Sequence, residues 1–587
     1  MTARASRAFS VHCLSWKLYR MTGPKHPSHA APGARLQTDP AATWPRRQFV
    51  GLGAALACAG LWGGLAPAWA QARSEGLPLP APQRGGTLDA VIHPEPPSLA
   101  FFINTASPTR AVVSKIFDGL LDYGPDFAPR GQLAERWAVS DDGLSVTLFL
   151  RRNVLWHDGQ PFSSADVKFS AEQVWLKYAP TARRVFRHLV RVDAPDAHTV
   201  VLVLSQPTPV ILNALDVVAA PVLPRHLYEG TDIPNNPHNN RPVGTGPFVF
   251  KEWVRGSHIA LARHEKYWQP GRPYLDGITW KVIPDVAGRA NALETGVAQY
   301  GERNPVTFAD ADRLARLPGL TVSTEGYNGF SGWFWLLPNL RHPVLGQPKV
   351  RQAILHAIDR QALCRTVWGG YAVPATGPVT SQLKTFYTDE TQQYPYDRAR
   401  AEALLDEAGF ARQADGKRFS ITHDFIPYGD DYRRTGEFVR QALRAVGIEV
   451  TLRSLDLATW LRRVFKDYDY ELASSWSVNW QDPQLGVEQH YWSEAESKGT
   501  PWQNASGYAS PEMDRLLQAA QTERDPQARV ALYRQVQQLA QADLPLINLF
   551  EYRWFGVWDK RLLNVTDSYI HTQNNFAQVG FAPAQAR

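Results

Sequence analysis

Cysteine and methionine are nearly missing, with three of each in 587 residues. Cys13 and Cys58 lie within the first 70 positions, so Cys364 stands alone in the remainder and no internal disulfide framework is possible there. Cys364 falls in the helix-patterned stretch VRQAILHAIDRQALCRTVW, where a thiol reads as core rather than nucleophile. The strings that carry common chemistries are also absent: no G-x-S-x-G, no H-E-x-x-H, no C-x-x-C and no Walker A. His264-Glu265 has no second histidine four residues on, and nothing supports a metal site made of protein ligands. Gly244-Thr245-Gly246 is followed by Pro247 and has no third glycine, which removes a dinucleotide fingerprint. Beyond residue 70 there is no run of 18 apolar residues, so nothing there reads as a membrane span.

An excess of positive charge is missing as well, despite a formal net charge of +6. Residues 1–70 hold eight Lys/Arg and only Asp39 as an acid, which is +7, so +6 minus +7 leaves about −1 for the rest. The basic footprint expected of a nucleic-acid binder therefore belongs to the leader alone. That leader reads as an export signal. Arg46-Arg47-Gln48-Phe49 supplies a twin-arginine pair, an apolar stretch runs to Leu65, and Ala68-Trp69-Ala70 closes it with an A-x-A cleavage pattern. Cys58 has a poor lipoprotein context, and cleavage after Ala70 is the better expectation. The predicted destination is the periplasm.

What remains is long, globular and turn-rich. A chain of this length exceeds one core, and two or three domains are expected. The stretch 144–170, LSVTLFLRRNVLWHDGQPFSSADVKFS, sets the pattern. Val146, Leu148 and Leu150 alternate with Thr147 and Phe149 as in a half-buried strand, and Asp141-Asp142-Gly143 turns into it. Ser163 with Asp166 makes a capping box that predicts a helix through about Tyr178. A second pair of strands is expected at 190–192 and 199–204. Further on, Pro348 opens a helix with an apolar stripe of Val350, Ile354, Ala357, Ile358 and Val367, and Asp397 and Asp525 cap two more. A helix from Arg434 to Val446 stops at Gly447 and feeds a strand. Capped helices alternating with short strands mean α/β.

Candidate chemistry is aromatic rather than catalytic. His157-Asp158 sits in a turn and reads as a frame for it. Trp333, Trp335, Trp476, Trp480, Trp492 and Trp502 cluster in the second half, close to Ser, Asn, Gln and Asp residues. Such side chains pair a large apolar face with a polar handle, which suits the wall of a binding groove. The stretch Ser474 to Pro483, SSWSVNWQDP, is the best groove candidate, read as a strand end running into a polar loop with no helix.

Six stretches resemble the peptide-type solute-binding proteins of ABC importers, the family 5 class that includes dipeptide, oligopeptide and nickel receptors. They are 133–170, GTGPFVF (244–250), HEKYWQPGRPYLDGI (264–278), KVRQAILHAIDRQAL (349–363), YDRARAEALLDEAGF (396–410) and the helix ending in VGI at 446–448. The resemblance implies a periplasmic binding protein-like clamshell, type II in the three-domain cluster C arrangement, with mixed sheets and a two-crossover hinge. It implies domain I from 71–117, 244–327 and 555–587, an inserted domain II at 118–243 and domain III at 328–554. It further implies that one of Arg433 and Arg434 holds a ligand carboxylate, and that the third position beyond Trp476 grips a free amine. That position is Asn479, which carries no charge, and Asp482 is the alternative acid for that role. The expected site is thus Arg433, Arg434, Trp333, Trp335, Trp476, Asn479, Trp480 and Asp482. The expected function is capture of a peptide or peptide-like solute and its delivery to permease subunits with their cytoplasmic ATPase. No catalysis, cofactor, metal or nucleic acid is implied, and the receptor is expected to act as a monomer. A metal chelate, opine, oligosaccharide or haem remains open as cargo, and an exported peptide hydrolase remains the reading from another class.

Overall fold

The computed structural model describes residues 81–583 other than 105, 571 and 572. The expected twin-arginine leader and cleavage after Ala70, and Cys58, lie outside the described residues.

Strand β1 (Thr87–Ile92) is followed by the helix Ser107–Ile116. The chain then leaves for β2 (Leu121–Tyr123) and β3 (Pro129–Gly131), a small antiparallel pair. Next come β4 (Ala134–Val139), β5 (Ser145–Leu150), β6 (Leu189–Asp196) and β7 (Thr199–Leu204), which form one antiparallel sheet in the order β4-β5-β7-β6. In β5 the alternation is as written in the sequence: Val146, Leu148 and Leu150 are buried, and Thr147 and Phe149 only partly. Ser163 caps the helix Ser164–Phe169 through the expected box, its backbone N–H donating to Asp166 Oδ2 at 2.9 Å. The helical path then widens into a π-turn over Ser170–Trp175.

The chain returns through Gly244-Thr245-Gly246. A side chain at Gly244 would put its Cβ 1.9 Å from the carbonyl oxygen of Ile116, so only glycine lets this turn lie on the first helix. Beyond it run β8 (Phe248–Val254), β9 (His258–Arg263), β10 (Gly277–Val282), β11 (Tyr300–Gly301) and β12 (Leu320–Ser323). A crossing leads to β13 (Gly332–Pro338), β14 (Ala372–Pro374), β15 (Phe419–Phe425), β16 (Ile448–Arg453), β17 (Leu472–Val478) and β18 (Ile547–Tyr552). A second crossing returns to β19 (Gly556–Asp559). The two large sheets are mixed, in the orders β12-β19-β11-β1-β10-β9-β8 and β14-β18-β13-β17-β15-β16. Only two connections, β12 to β13 and β18 to β19, join them along the described chain. This is the α/β clamshell with a two-crossover hinge.

Three boundaries differ from expectation. The helix over 349–367 is two helices, Pro348–Ala357 and Arg360–Thr366, because Asp359 accepts from the Ala362 N–H at 2.9 Å and caps a new start. The helix expected from Arg434 begins at Asp430, directly after Gly429 with φ 124°. The loop after Trp480 contains a one-turn helix, Pro483–Gly486. Cys364 is buried, and burial pushes its thiol up to about 12, as suits a core residue.

Candidate functional site

The tryptophans and the loop after them lie where β13 begins and β17 and β18 end, and Arg433 and Arg434 are on the separate helix Asp430–Ala445. β17 presents Trp476 to one face of its sheet, opposite Phe334 in the β13 register. Trp333 and Trp335 point to the other face, where both are fully buried. Trp333 donates its indole N–H to Asn548 Oδ1 at 3.0 Å, and Trp335 donates to Ser477 Oγ at 3.3 Å. The structure therefore divides the tryptophans: the period-two strand sends Trp333 and Trp335 into the core and leaves Trp476 half-buried on the opposite side.

Asn479 is fully buried. Its side-chain oxygen accepts from the Thr380 N–H at 2.6 Å and its amide donates to the Pro378 carbonyl at 2.8 Å. The amide accepts and donates at once, so Asn479 clamps the loop at 378–380. Asp482 is equally committed. It forms a two-pronged pair with Arg529 at 2.6 and 2.8 Å, accepts from Asn213 Nδ2 at 3.1 Å, and caps the short helix through the Gln484 N–H. Breaking a buried pair of this kind costs about 3–5 kcal/mol, more than the ~1.5–3 kcal/mol that a hydrogen bond from a ligand amine returns. Gly486 holds that helix against the strand end, since a Cβ there would lie 1.8 Å from the Val478 carbonyl oxygen.

Arg433 and Arg434 lie in the second turn of their helix, because it starts at Asp430. Their side chains are about half exposed, at 52% and 46%. Arg433 pairs with Asp430 at 2.7 Å, and Arg434 lies 3.9 Å from Asp431 while donating to the Thr366 carbonyl at 3.0 Å. The acids one turn back satisfy both the helix N-terminus and the arginines. From the same turn Tyr432 reaches inward, its hydroxyl 3.4 Å from that of Tyr552.

Tyr552 belongs to an aromatic face that the sequence reading only half assembled. It stacks on Trp554 with ring centroids 4.4 Å apart, and Trp476 stands edge-on to both at 5.9 and 5.7 Å. Phe330, just before β13, bridges Trp476 to Trp480, whose backbone is left-handed with φ 54°. The indole N–H groups of Trp476 and Trp554 are buried and make no hydrogen bond to the described residues. Cations frame the face: Arg303 lies 5.5 Å from the Phe330 ring centroid and Arg110 lies 5.1 Å from that of Trp480. Phe330, Tyr552, Trp554, Arg303 and Arg110 were missed because they come from four separate stretches, none with a local signal.

The His157-Asp158 turn frames its lobe. Gly244 N–H donates to His157 Nδ1 at 3.2 Å, so Nε2 carries the proton and donates to the Gly246 carbonyl at 2.9 Å. Burial pulls the imidazole down to about 3, keeping it neutral. Asp158 pairs with His226 at 2.6 Å. Among the described residues no group of three or more His, Cys, Asp or Glu is placed to hold a metal ion, and no helix is long and apolar enough to cross a membrane.

An architecture of two mixed sheets, two crossings and an inserted antiparallel sheet, with an aromatic face at the strand ends, is that of a solute-capturing receptor. The family model described as bacterial extracellular solute-binding proteins, family 5 middle, matches residues 128–497, and the chain belongs to that family. The glutathione-binding protein GsiB of Salmonella choleraesuis (strain SC-B67) is 29% identical over 478 residues, which cover 80% of this chain and 89% of that protein. Among solved structures, AgaA from A. tumefaciens R10 in complex with agropinic acid aligns with a TM-score of 0.70 and 26% identity over 85% of this chain and 99% of that one. DppA from Helicobacter pylori in complex with the peptide STSA has a TM-score of 0.72 at 24% identity, over 85% and 99% of the two chains, and shares the fold. The chain is accordingly the extracytoplasmic substrate-binding receptor of an ABC importer.

Proposed function

We propose that the cargo is a peptide or peptide-like solute carrying a carboxylate, held on the face of Trp476, Tyr552 and Trp554 between the lobes. The observation that carries this reading is the pair of buried indole N–H donors left without protein partners. Buried donors of this kind cost free energy until an acceptor arrives, and peptide carbonyls are suitable acceptors. Arg433 and Arg434 stand at the rim beside Tyr432, where flexible cations steer an anionic solute inward. Asn479 and Asp482 shape the wall from behind and leave the amine end of a ligand without a charged grip.

The lobes follow from the same reading: 71–117, 244–327 and 555–587 as one, 118–243 as the insert, 328–554 as the other. Export by the twin-arginine route with cleavage after Ala70, action as a monomer and delivery of the solute chemically unchanged belong to the proposal. An opine, also carboxylated and without a standard peptide amine, is the second reading. The uncharged Asn479 favours it, and AgaA at 26% identity is a relative solved with agropinic acid.

Calorimetry with dipeptides, glutathione and their N-acetylated forms tests the proposal. Acetylation is expected to leave affinity within a few-fold, whereas binding only when the amine is free contradicts the account of Asn479.

A further inference from the structure

Arg110 presents a puzzle of charge. It sits on the helix Ser107–Ile116, is only 6% exposed, and its guanidinium makes no hydrogen bond or ion pair with any described residue. Arg303 is close enough to repel it, and Asp216 is the nearby acid that favours its charge. Asp216, however, is spent on the backbone N–H groups of Val218 and Ala219, at 2.7 and 2.8 Å, and on the Tyr569 hydroxyl at 3.0 Å. Burial pulls the Arg110 guanidinium down to about 10, as an incompletely compensated charge requires. Contact with the Trp480 ring, whose centroid is 5.1 Å from the guanidinium carbon, offsets only part of the cost of desolvating the ion.

The guanidinium lines a small cavity of about 20 Å³, where three parts of the fold meet. Thr181, Val218 and Ala219 come from the insert, Trp480 and Leu485 from the loop after β17, and Tyr569 from the C-terminal part. The hydrogen bond of Asn213 to Asp482 and those of Arg184 to Gln489 and the Leu485 carbonyl close the lobes around it.

We propose that Arg110 is the anchor for the cargo's carboxylate, gripping it from the floor of this cavity with the rest of the solute extending over Trp480 toward the aromatic face. The planar fork of a guanidinium matches a carboxylate with two parallel hydrogen bonds. The same carboxylate lies between Arg110 and Arg303 in charge terms and relieves their repulsion. This assignment rests on the receptor reading above and makes Arg110, rather than the exposed Arg433 and Arg434, the fixed point of recognition.

The test compares the wild-type mature protein with Arg110→Met and Arg110→Lys. Glutathione, a dipeptide and their C-terminal amides are titrated by calorimetry, with succinate as a minimal carboxylate probe in thermal unfolding. Wild type is expected to prefer acid over amide and to be stabilised by succinate. Arg110→Met is expected to weaken the acid by about tenfold to a hundredfold, the worth of a charged hydrogen bond, and to bind acid and amide alike. Arg110→Lys should keep part of the preference. Ligand-free Arg110→Met should unfold no earlier than wild type, because it sheds an unpaired buried charge. Arg110→Met keeping the acid preference or the succinate effect overturns the proposal, as does its unfolding several degrees early without ligand, which marks a structural arginine. If wild type binds no peptide, acid or amide, the peptide cargo fails, and the succinate and unfolding comparisons still decide Arg110.

Discussion

At the scale of single residues, hydrogen-bonding capacity decides more than position does. Asn479 needs one acceptor and one donor at once, for the Thr380 N–H and the Pro378 carbonyl. Asn479→Asp keeps the first and sets a carboxylate against the second. We expect a loss of about 1–3 kcal/mol in denaturant unfolding at neutral pH, shrinking in acid where a protonated carboxyl donates again. An unchanged midpoint would show that the clamp contributes nothing. The sequence disclosed that Asn479 lacks charge but not why, since its partners lie about a hundred residues away. Asp482 looked free in the sequence for the same reason; Arg529, which occupies it, is 47 positions on. Trp333, Trp335 and Trp476 were legible as aromatics of the second half of the chain, while the side of the sheet each faces depends on which strands flank it.

At the scale of elements, the insert reaches the second large sheet unit through Arg184, which meets the short helices after β17, and Arg187, which meets the helix Pro511–Thr522. Arg187 donates to Gln521 at 2.5 Å, and Glu488 lies buried among Arg184, Arg187, Arg529 and Asp482. Burial raises the Glu488 carboxyl from 4.5 to about 7, and its Oε2 has no hydrogen-bond partner among the described residues. Parting of the lobes rehydrates it and returns it toward the ordinary value, so the closed form holds the proton more tightly. The resulting contribution to closure is fully present below the ordinary carboxylate pKa and is lost as pH rises through about 7. Apparent affinity for a bound solute is therefore expected to fall between roughly pH 5 and pH 8, and Glu488→Gln should flatten the profile. An identical slope in wild type and variant would place the titrating group elsewhere. Element identity was largely readable: the β5 alternation, the Ser163 box and the Asp397 and Asp525 caps each have a local cause, and each formed. The misread starts at Asp430 and Arg360 came from caps that compete with periodicity, Gly429 with its positive φ and Asp359 with its carboxylate.

At the scale of the whole molecule, order along the chain made the family legible, because six stretches spread from 133 to 448 keep one sequence of elements. The cargo was less legible, because the aromatic face and the buried cations are assembled from the helix at 107, Arg303 just after β11, Phe330 in the crossing to β13, the end of β17 and the return at 552–554. The β12 to β13 and β18 to β19 crossings are the only chain connections between the large sheets among the described residues, the arrangement a hinge between lobes requires. The central claim is that the chain captures a carboxylate-bearing solute and gives it back unaltered. Mass spectrometry of the protein purified from its host, native and then denatured, tests it most directly. The account predicts one solute per chain, bearing a carboxylate, released at an unchanged mass after prolonged incubation and retained poorly by Arg110→Met. A solute without an acidic group, or one that comes off cleaved, would contradict it.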